Sequence, residues 1–318
     1  MLRTIFAVFS FILLNFAVAM AQDSAQTSPN LETILSEAQK QTEFYKETFR
    51  NLLAEETKVL EEFDKDGNSD GRTAVKSIFL VYQSGRNANV TTELRNVVEV
   101  NGKLVPNSQK RSDDFLAELE KTTTLEKELN KIQREGAKYD KTIEVYGLTL
   151  NEAVVLSPNI RPFFEFKLLG RENYQGNDVY IISYQQTRKS PYIVINGKDS
   201  VSNEAGLNFK IDIPGSLKNN DNFLRGKLWI DAKDFQLRRE EQELTVNSPA
   251  PLTLLTAGFE YQPSNYGILV PKTISLTTFE LKKQKRDGNF ISIKDTSVNF
   301  DYSKFRQTNV EVQILDDK

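Results

Sequence analysis

Two arrangements of acidic side chains have residue types that could do chemistry. The segment Asp64-x-Asp66-x-Asn68-x-Asp70-Gly71 places oxygen donors at alternate positions, as the calcium loop of an EF-hand does. An EF-hand also needs Gly at its sixth position and Glu at its twelfth, where this sequence has Ser69 and Val75. Because Asp, Asn and Gly also supply the turns of β-hairpins, we predict a polar hairpin turn here and no metal site.

The adjacent pairs Glu61-Glu62 and Glu240-Glu241 offer carboxyl groups for acid/base work. Adjacent residues of a strand point to opposite faces, so neither pair can act as two facing carboxyl groups. The chain has no histidine and no cysteine, which excludes an imidazole base, a thiol nucleophile, a thiolate metal site and disulfides. We therefore predict no catalytic residues, no cofactor and no enzymatic activity.

The remaining candidate is an apolar surface formed by alternate residues of the C-terminal strands. If the sheet is an incompletely closed barrel under a helical lid, this surface lines a cavity for an acyl chain. If helices cover it fully, the same residues form an ordinary core. The candidate cavity residues are Phe164, Phe166, Leu168, Tyr180, Ile182, Leu228 and Ile230.

The elements that must position this surface are an α+β set. Asn30 caps a first helix, and Ser112 caps a second helix over residues 113–137. From Pro162 onward, alternating strands are separated by turn signals every ten to fifteen residues, as in an antiparallel meander. We predict a curved antiparallel sheet, an open half-barrel, with two main helices packed on its concave face. The predicted organisation is an N-terminal helix-hairpin-helix part, 22–160, and a β meander, 161–318, or one continuous domain.

The N-terminus has the pattern of an export signal. Arg3 precedes an apolar run over residues 4–19, and Ala19-Met20-Ala21 is a small-residue cleavage site. We predict a signal peptide over 1–21 and a periplasmic or secreted protein with no integral membrane span after cleavage; an uncleaved anchor is the alternative. With 41 basic against 44 acidic residues, no excess of positive charge favours nucleic acid as a partner.

Three stretches of the C-terminal half resemble the periplasmic lipoprotein carriers of the LolA/LolB type and their outer-membrane lipoprotein-sorting relatives. They are Gly226-Lys227-Leu228-Trp229-Ile230-Asp231, Phe235-Gln236-Leu237-Arg238-Arg239 and Tyr266-Gly267-Ile268-Leu269-Val270-Pro271-Lys272. The likeness covers roughly Pro162 to Tyr302. It implies an open β half-barrel that holds a helical lid over an apolar cavity for acyl chains.

The N-terminal half resembles a group of secreted bacterial proteins without assigned function, in segments that include Phe79-Leu80-Val81-Tyr82 and the stretch from Arg95 to Val105. That likeness implies a bacterial source. Together these features predict non-enzymatic periplasmic binding of a lipid or lipoprotein acyl group, with a lipid, an acylated protein or an envelope protein as partner. The alternative is a structural or protein-interaction module of the cell envelope with a filled core.

Overall fold

A computed structural model describes residues 29–50, 52–83, 91–119, 148–150, 152–196, 207–209 and 211–307 of the chain. The predicted signal peptide lies outside these residues. Among the described helices, none combines the length and the apolar character needed to cross a membrane.

Eleven strands form one curved, open antiparallel sheet, and two more form a short parallel ribbon. The strands are β1 Leu52–Phe63, β2 Ser69–Gln83, β3 Thr91–Val100, β4 Lys103–Leu104, β5 Phe164–Tyr174, β6 Asn177–Gln186, β7 Ile193–Ile195, β8 Leu207–Phe209, β9 Asn222–Asp231, β10 Leu237–Val246, β11 Leu252–Pro263, β12 Leu269–Lys283 and β13 Phe290–Gln307. The order in the sheet is β4-β3-β2-β1-β13-β12-β11-β10-β9-β6-β5, and β7 pairs with β8. Strands β4 and β5 are the two edges, so the sheet does not close into a barrel.

The predicted hairpin turn is confirmed between β1 and β2. Asp64 Oδ1 accepts hydrogen bonds from the backbone N–H groups of Asp66, at 2.8 Å, and Asn68, at 2.9 Å. These bonds lower the pKa of the Asp64 carboxyl below its ordinary value. The acidic side chain therefore shapes the turn through its backbone, as an Asx turn does.

The first and last described strands lie side by side. Strand β1 pairs antiparallel with β13, for example at Lys58 opposite Phe300 and Leu60 opposite Val298. Strands from the N-terminal and C-terminal parts of the chain thus belong to the same sheet.

Helix α1, Leu31–Phe49, begins where the sequence predicts. The side chain of Asn30 accepts a hydrogen bond from the N–H of Thr33 at 2.9 Å, which satisfies one free donor of the first turn. The residues that α1 buries recur at helical spacing: Ile34, Leu35, Ala38, Thr42, Tyr45 and Phe49. This face packs on the apolar side of the sheet.

The prediction of two main helices over the sheet is wrong. Helix α2, Ser108–Leu119, follows β4 after three residues and contacts β3, so it stays at that end of the sheet. The rest of the predicted second helix, 120–137, lies outside the described residues. The apolar face is instead covered by α1 and by short 3-10 turns at Leu148–Leu150, Val154–Leu156 and Arg161–Phe163, because Pro158 and Pro162 prevent a longer helix there.

Candidate functional site

The seven predicted cavity residues lie together on three neighbouring strands, β5, β6 and β9. Five of them belong to the hydrophobic core, namely Phe164, Tyr180, Ile182, Leu228 and Ile230. Phe166 is half-buried, and Leu168 on the edge strand β5 is 36% exposed. In the sheet, Ile182 lies between Leu168 and Leu228, so the apolar surface runs without interruption from the open edge into the core.

The cover over this surface consists of three pieces. The first piece is helix α1. The second, which we call the bridging segment, consists of residues 149–163 apart from residue 151. It buries Val154, Val155, Leu156 and Ile160 against the core. The third piece is the β7–β8 ribbon, whose half-buried apolar side chains pack on the core. Next to the ribbon, the ring of Tyr192 makes an edge-to-face contact with Phe163.

The bridging segment connects α1 to the sheet by hydrogen bonds. The Tyr45 hydroxyl of α1 donates to the backbone oxygen of Thr149 at 2.7 Å. Glu93 of β3 accepts from both the N–H of Thr149, at 2.8 Å, and its hydroxyl, at 2.7 Å. Glu240 of β10 accepts from the N–H of Ala153 at 3.2 Å. Two buried carboxylates of the sheet thus hold the segment on which α1 rests.

The first of these carboxylates belongs to a buried ion-pair cluster. Arg95 donates from Nε to Glu56 at 2.9 Å and from Nη2 to Glu93 at 3.1 Å. Its guanidinium also lies over the rings of Phe79 and Phe300. Burial opposes the positive charge, but the two carboxylates outweigh this and hold the pKa of Arg95 well above its ordinary value. The guanidinium of Arg95 therefore keeps its charge and anchors the cluster.

The second carboxylate, Glu240, is fully buried, and it forms no ion pair with any residue that the structure describes. Its Oε1 accepts hydrogen bonds from the hydroxyl of Tyr184 and from Nε2 of Gln242, each at 2.9 Å. Burial raises the pKa of Glu240 to about 7, although the bonds from Gln242, Tyr184 and Ala153 act in the opposite direction. This anchor therefore changes its charge near neutral pH.

Glu152, in the bridging segment, is a second buried carboxyl group near Glu240. Burial is the main cause that raises its pKa well above the ordinary value, and the charge of Glu240 adds to it. Its Oε2 has no hydrogen-bond partner in the described part of the chain. The positive charge of Lys46, on α1, partly offsets the rise in the pKa of Glu152. Burial in turn lowers the pKa of Lys46. The arrangement can hold a proton at neutral pH between the sheet and its cover.

Sequence reasoning placed Glu240 and Glu241 correctly on opposite faces but missed the contact of Glu240 with the bridging segment. No spacing predicts it, because 87 residues separate Ala153 from the carboxylate that its N–H contacts. The alternation of buried and exposed positions in β10 nevertheless indicates that Glu240 is buried. Glu240 shares the inward face with Leu244 and Val246, and an acidic residue at an apolar position of a strand indicates a buried charge.

The opposite, polar face of the sheet carries a groove of about 900 Å³. One row of directly opposed residues crosses its floor: Lys167, Ser183, Lys227, Glu241, Gly258 and Ser275. Arg225 pairs with Glu243 and Arg239 with Glu241, whereas Lys167 and Lys227 have no ion-pair partner among the described residues. The groove offers small residues at its centre and charged ones toward the β5 edge.

Gly226 leaves room for another side chain to approach the strand closely beside the buried Glu240. A Cβ atom at position 226 would lie 2.4 Å from the Tyr184 hydroxyl and 2.0 Å from the backbone oxygen of Glu241. The phenol of Tyr184 occupies that space, and its hydroxyl donates to Glu240. A glycine inside a strand marks such a close approach.

No family model matches the chain, and no curated protein matches it. Among solved structures it is similar to a Vibrio parahaemolyticus domain named as an outer membrane lipoprotein-sorting protein, with 13% identity and a TM-score of 0.39 over 88% of this chain and 94% of that one. It is also similar to a DUF1329 family protein from Desulfovibrio piger, with 11% identity and a TM-score of 0.36 over 90% and 95% of the two chains. A LolA superfamily protein from Nitrosomonas europaea has 11% identity and a TM-score of 0.31 over 88% and 94%. The solved structures to which this chain is similar therefore include the family that its C-terminal half resembles.

Proposed function

We propose that this protein binds, without catalysing a reaction, the acyl group of a lipid or lipoprotein in the bacterial periplasm, after export by its signal peptide. The observation that carries the proposal is the continuous apolar path from Leu168, exposed at the sheet edge, through Ile182 to Leu228, both fully buried. Phe164 and Phe166 flank the path, and Tyr180 and Ile230 extend it along β6 and β9. An acyl chain needs such a surface and no polar recognition motif.

Binding requires the cover to move, because five of the seven path residues already contact other core residues. Burial of a methylene group contributes about 0.8 kcal/mol, so a chain of about 12 methylenes would gain roughly 10 kcal/mol. That gain has to exceed the cost of separating the cover from the sheet. The bridging segment runs directly into β5, and Tyr192, next to the ribbon, contacts Phe163 at that junction, so the ribbon and this end of the bridging segment are the pieces expected to move.

The test measures saturable uptake of a fluorescent fatty acid by delipidated protein. Two neighbouring exposed leucines of β5 supply a matched pair of variants. Leu168 lies on the path, opposite Ile182, whereas Leu169, 49% exposed, is the bulged residue without a partner in the register. We expect Leu168→Glu to weaken uptake at least tenfold and Leu169→Glu to leave it within about twofold, since burying a charge beside an acyl chain is costly. Absence of saturable uptake by the wild-type protein would exclude the proposal.

A second candidate function is a protein-interaction module, which the groove on the polar face favours. Its unpaired Lys167 and Lys227 lie on either side of Ser183 and could contact carboxylates of an envelope protein. Native mass spectrometry of protein purified from its own envelope separates the two functions. Added lipid mass that Leu168→Glu removes supports the carrier, and added protein mass that Lys167→Glu with Lys227→Glu removes supports the module.

A further inference from the structure

We propose that Glu240 is a proton-operated latch that holds the bridging segment and α1 against the sheet while its carboxyl group is protonated and loosens them when it ionises. The latch is a property of the cover by itself. Only its use in admitting an acyl ligand rests on the proposed function.

The contacts of Glu240 connect the sheet to the cover at one buried point. Tyr184 and Gln242 of the sheet bind its Oε1, and the N–H of Ala153 in the bridging segment lies 3.2 Å from its Oε2. Helix α1 rests on the same segment through the bond from Tyr45 to Thr149. A change at Glu240 is therefore transmitted to α1 through a few covalently linked residues.

Burial and the carboxyl group of Glu152, in the bridging segment, oppose a negative charge on Glu240. From the sheet the phenols of Tyr184 and Tyr261 face it, and the hydrogen bond from Tyr184 favours the charge without cancelling the effect of burial. On α1, Lys46 and Tyr45 face Glu152, and Lys46 is the one cation among these groups. Burial raises the pKa of both carboxyl groups, so ionisation places a poorly compensated charge under the cover.

The bridging segment also stores strain that release would relieve. Ala153, fully buried, has φ 41° and ψ 39°, a left-handed conformation that a residue with a Cβ rarely adopts. Its N–H is the one that Glu240 holds. Such conformations persist only where surrounding contacts enforce them, and they concentrate at switch regions.

A buried latch needs a route for its proton, and Tyr184 supplies it. Its hydroxyl is 2.9 Å from Glu240 Oε1 and 3.3 Å from the backbone oxygen of Glu241, a residue of the groove floor. A hydroxyl that both donates and accepts can pass a proton between the groove and the carboxyl group.

The sign of the effect follows from linkage. The closed form favours protonated Glu240, so its contribution to closure is fully present below the ordinary pKa of 4.5 and is lost as pH rises through about 7. If opening exposes Glu240 to water, the opening equilibrium rises roughly thirtyfold between pH 5.5 and 8.5. The lowered pKa of Lys46 acts in the opposite direction, because it favours closure at high pH.

The experiment is hydrogen–deuterium exchange of peptides covering residues 31–49 and 152–160, without ligand, at several pH values and corrected for intrinsic exchange rates. Protection of these peptides in the wild-type protein should fall by roughly thirtyfold between pH 5.5 and 8.5. Glu240→Gln, an uncharged isostere, should remove most of that pH dependence. The matched control is Glu241→Gln, one residue away on the groove face, which should keep the wild-type dependence. Protection that does not change with pH, or an equal slope in Glu240→Gln, would overturn the latch.

A second variant keeps the test decisive if Glu240→Gln folds poorly. Tyr184→Phe removes a bond that stabilises the ionised carboxylate, so the midpoint of the pH dependence should move upward. An unchanged or lower midpoint overturns the latch. Because no ligand is present, these outcomes are independent of fatty-acid uptake, so the failure of one proposal is distinguishable from the failure of the other.

Discussion

Substitution of Gly226 by alanine tests the close approach of the Tyr184 phenol to this strand most directly. The added Cβ would lie 2.0 Å from the Glu241 backbone oxygen, 2.4 Å from the Tyr184 hydroxyl and 2.5 Å from its Cζ. Because the first of these atoms belongs to the backbone, side-chain rotation cannot relieve the clash. The strand or the phenol has to shift by an ångström or more.

The expected loss has two parts. Overpacking of this kind costs about 1–3 kcal/mol. Displacement of the phenol also breaks its bond to Glu240, and leaving a buried carboxyl group without that donor costs about 1–3 kcal/mol. Replacing a glycine stabilises the folded state by about 0.4–1 kcal/mol through the unfolded chain, which offsets a small part. We expect Gly226→Ala to lower the free energy of unfolding by about 3 kcal/mol.

Gly258→Ala is the matched control, because Gly258 lies in the neighbouring part of the same groove. A Cβ there meets only Ser275 Oγ, at 2.9 Å, and a serine hydroxyl can rotate away. We expect this variant to stay within about 1 kcal/mol of the wild type. The assay is urea denaturation at pH 7, followed by circular dichroism.

A double-mutant cycle identifies the mechanism. In a Tyr184→Phe background the bond to Glu240 is already absent, so Gly226→Ala should cost about 1–2 kcal/mol less than in the wild type. Equal losses for Gly226→Ala and Gly258→Ala, or additive effects of Gly226→Ala and Tyr184→Phe, would refute the reasoning.

Three further substitutions probe the anchors of the cover and of the sheet, each by urea denaturation. Arg95→Met should lower the free energy of unfolding by about 3–5 kcal/mol, because it leaves two buried carboxylates without their cation. Arg171→Met, which breaks an exposed ion pair, should lower it by at most about 1 kcal/mol. Similar losses in the two variants would contradict this reasoning. Asn30→Ala removes the cap of α1 and should cost about 1 kcal/mol, and a neutral effect would show that α1 is held by packing alone. Tyr45→Phe removes the bond from α1 to the bridging segment and should cost about 1 kcal/mol while increasing hydrogen exchange in residues 152–160; unchanged exchange there would argue against the connection.

The sequence predicted the local elements well where one short-range pattern decides them. Alternation of apolar and polar residues identified β5, β6 and β9, and the capping oxygen of Asn30 located the start of α1. The Asp-rich segment at Asp64 was correctly predicted to form a hairpin turn, because Asp, Asn and Gly between two alternating runs are visible in the sequence itself. Opposite faces for Glu240 and Glu241 follow from the pleat of a strand alone.

The cover of the sheet could not be predicted in the same way. A strong apolar stripe at residues 115–132 suggested a second helix on the sheet, but α2 follows β4 so closely that it stays beside β3. The apolar run from Val154 to Leu156 is too short to show a helical or strand period, although it forms the buried part of the bridging segment. Periodicity reports which side of an element is apolar and does not report which surface that side meets.

Composition and order along the chain thus determined the strand-rich fold, the absence of imidazole and thiol chemistry and the inward direction of individual side chains, because these depend on residue type and on periods of two or 3.6 residues. Tertiary structure alone decided that Ala153 contacts Glu240, that Gly226 leaves room for the Tyr184 phenol, and that β1 pairs with β13. These contacts join residues far apart in the chain, and their formation depends on the register and curvature of the whole sheet, which no local pattern encodes.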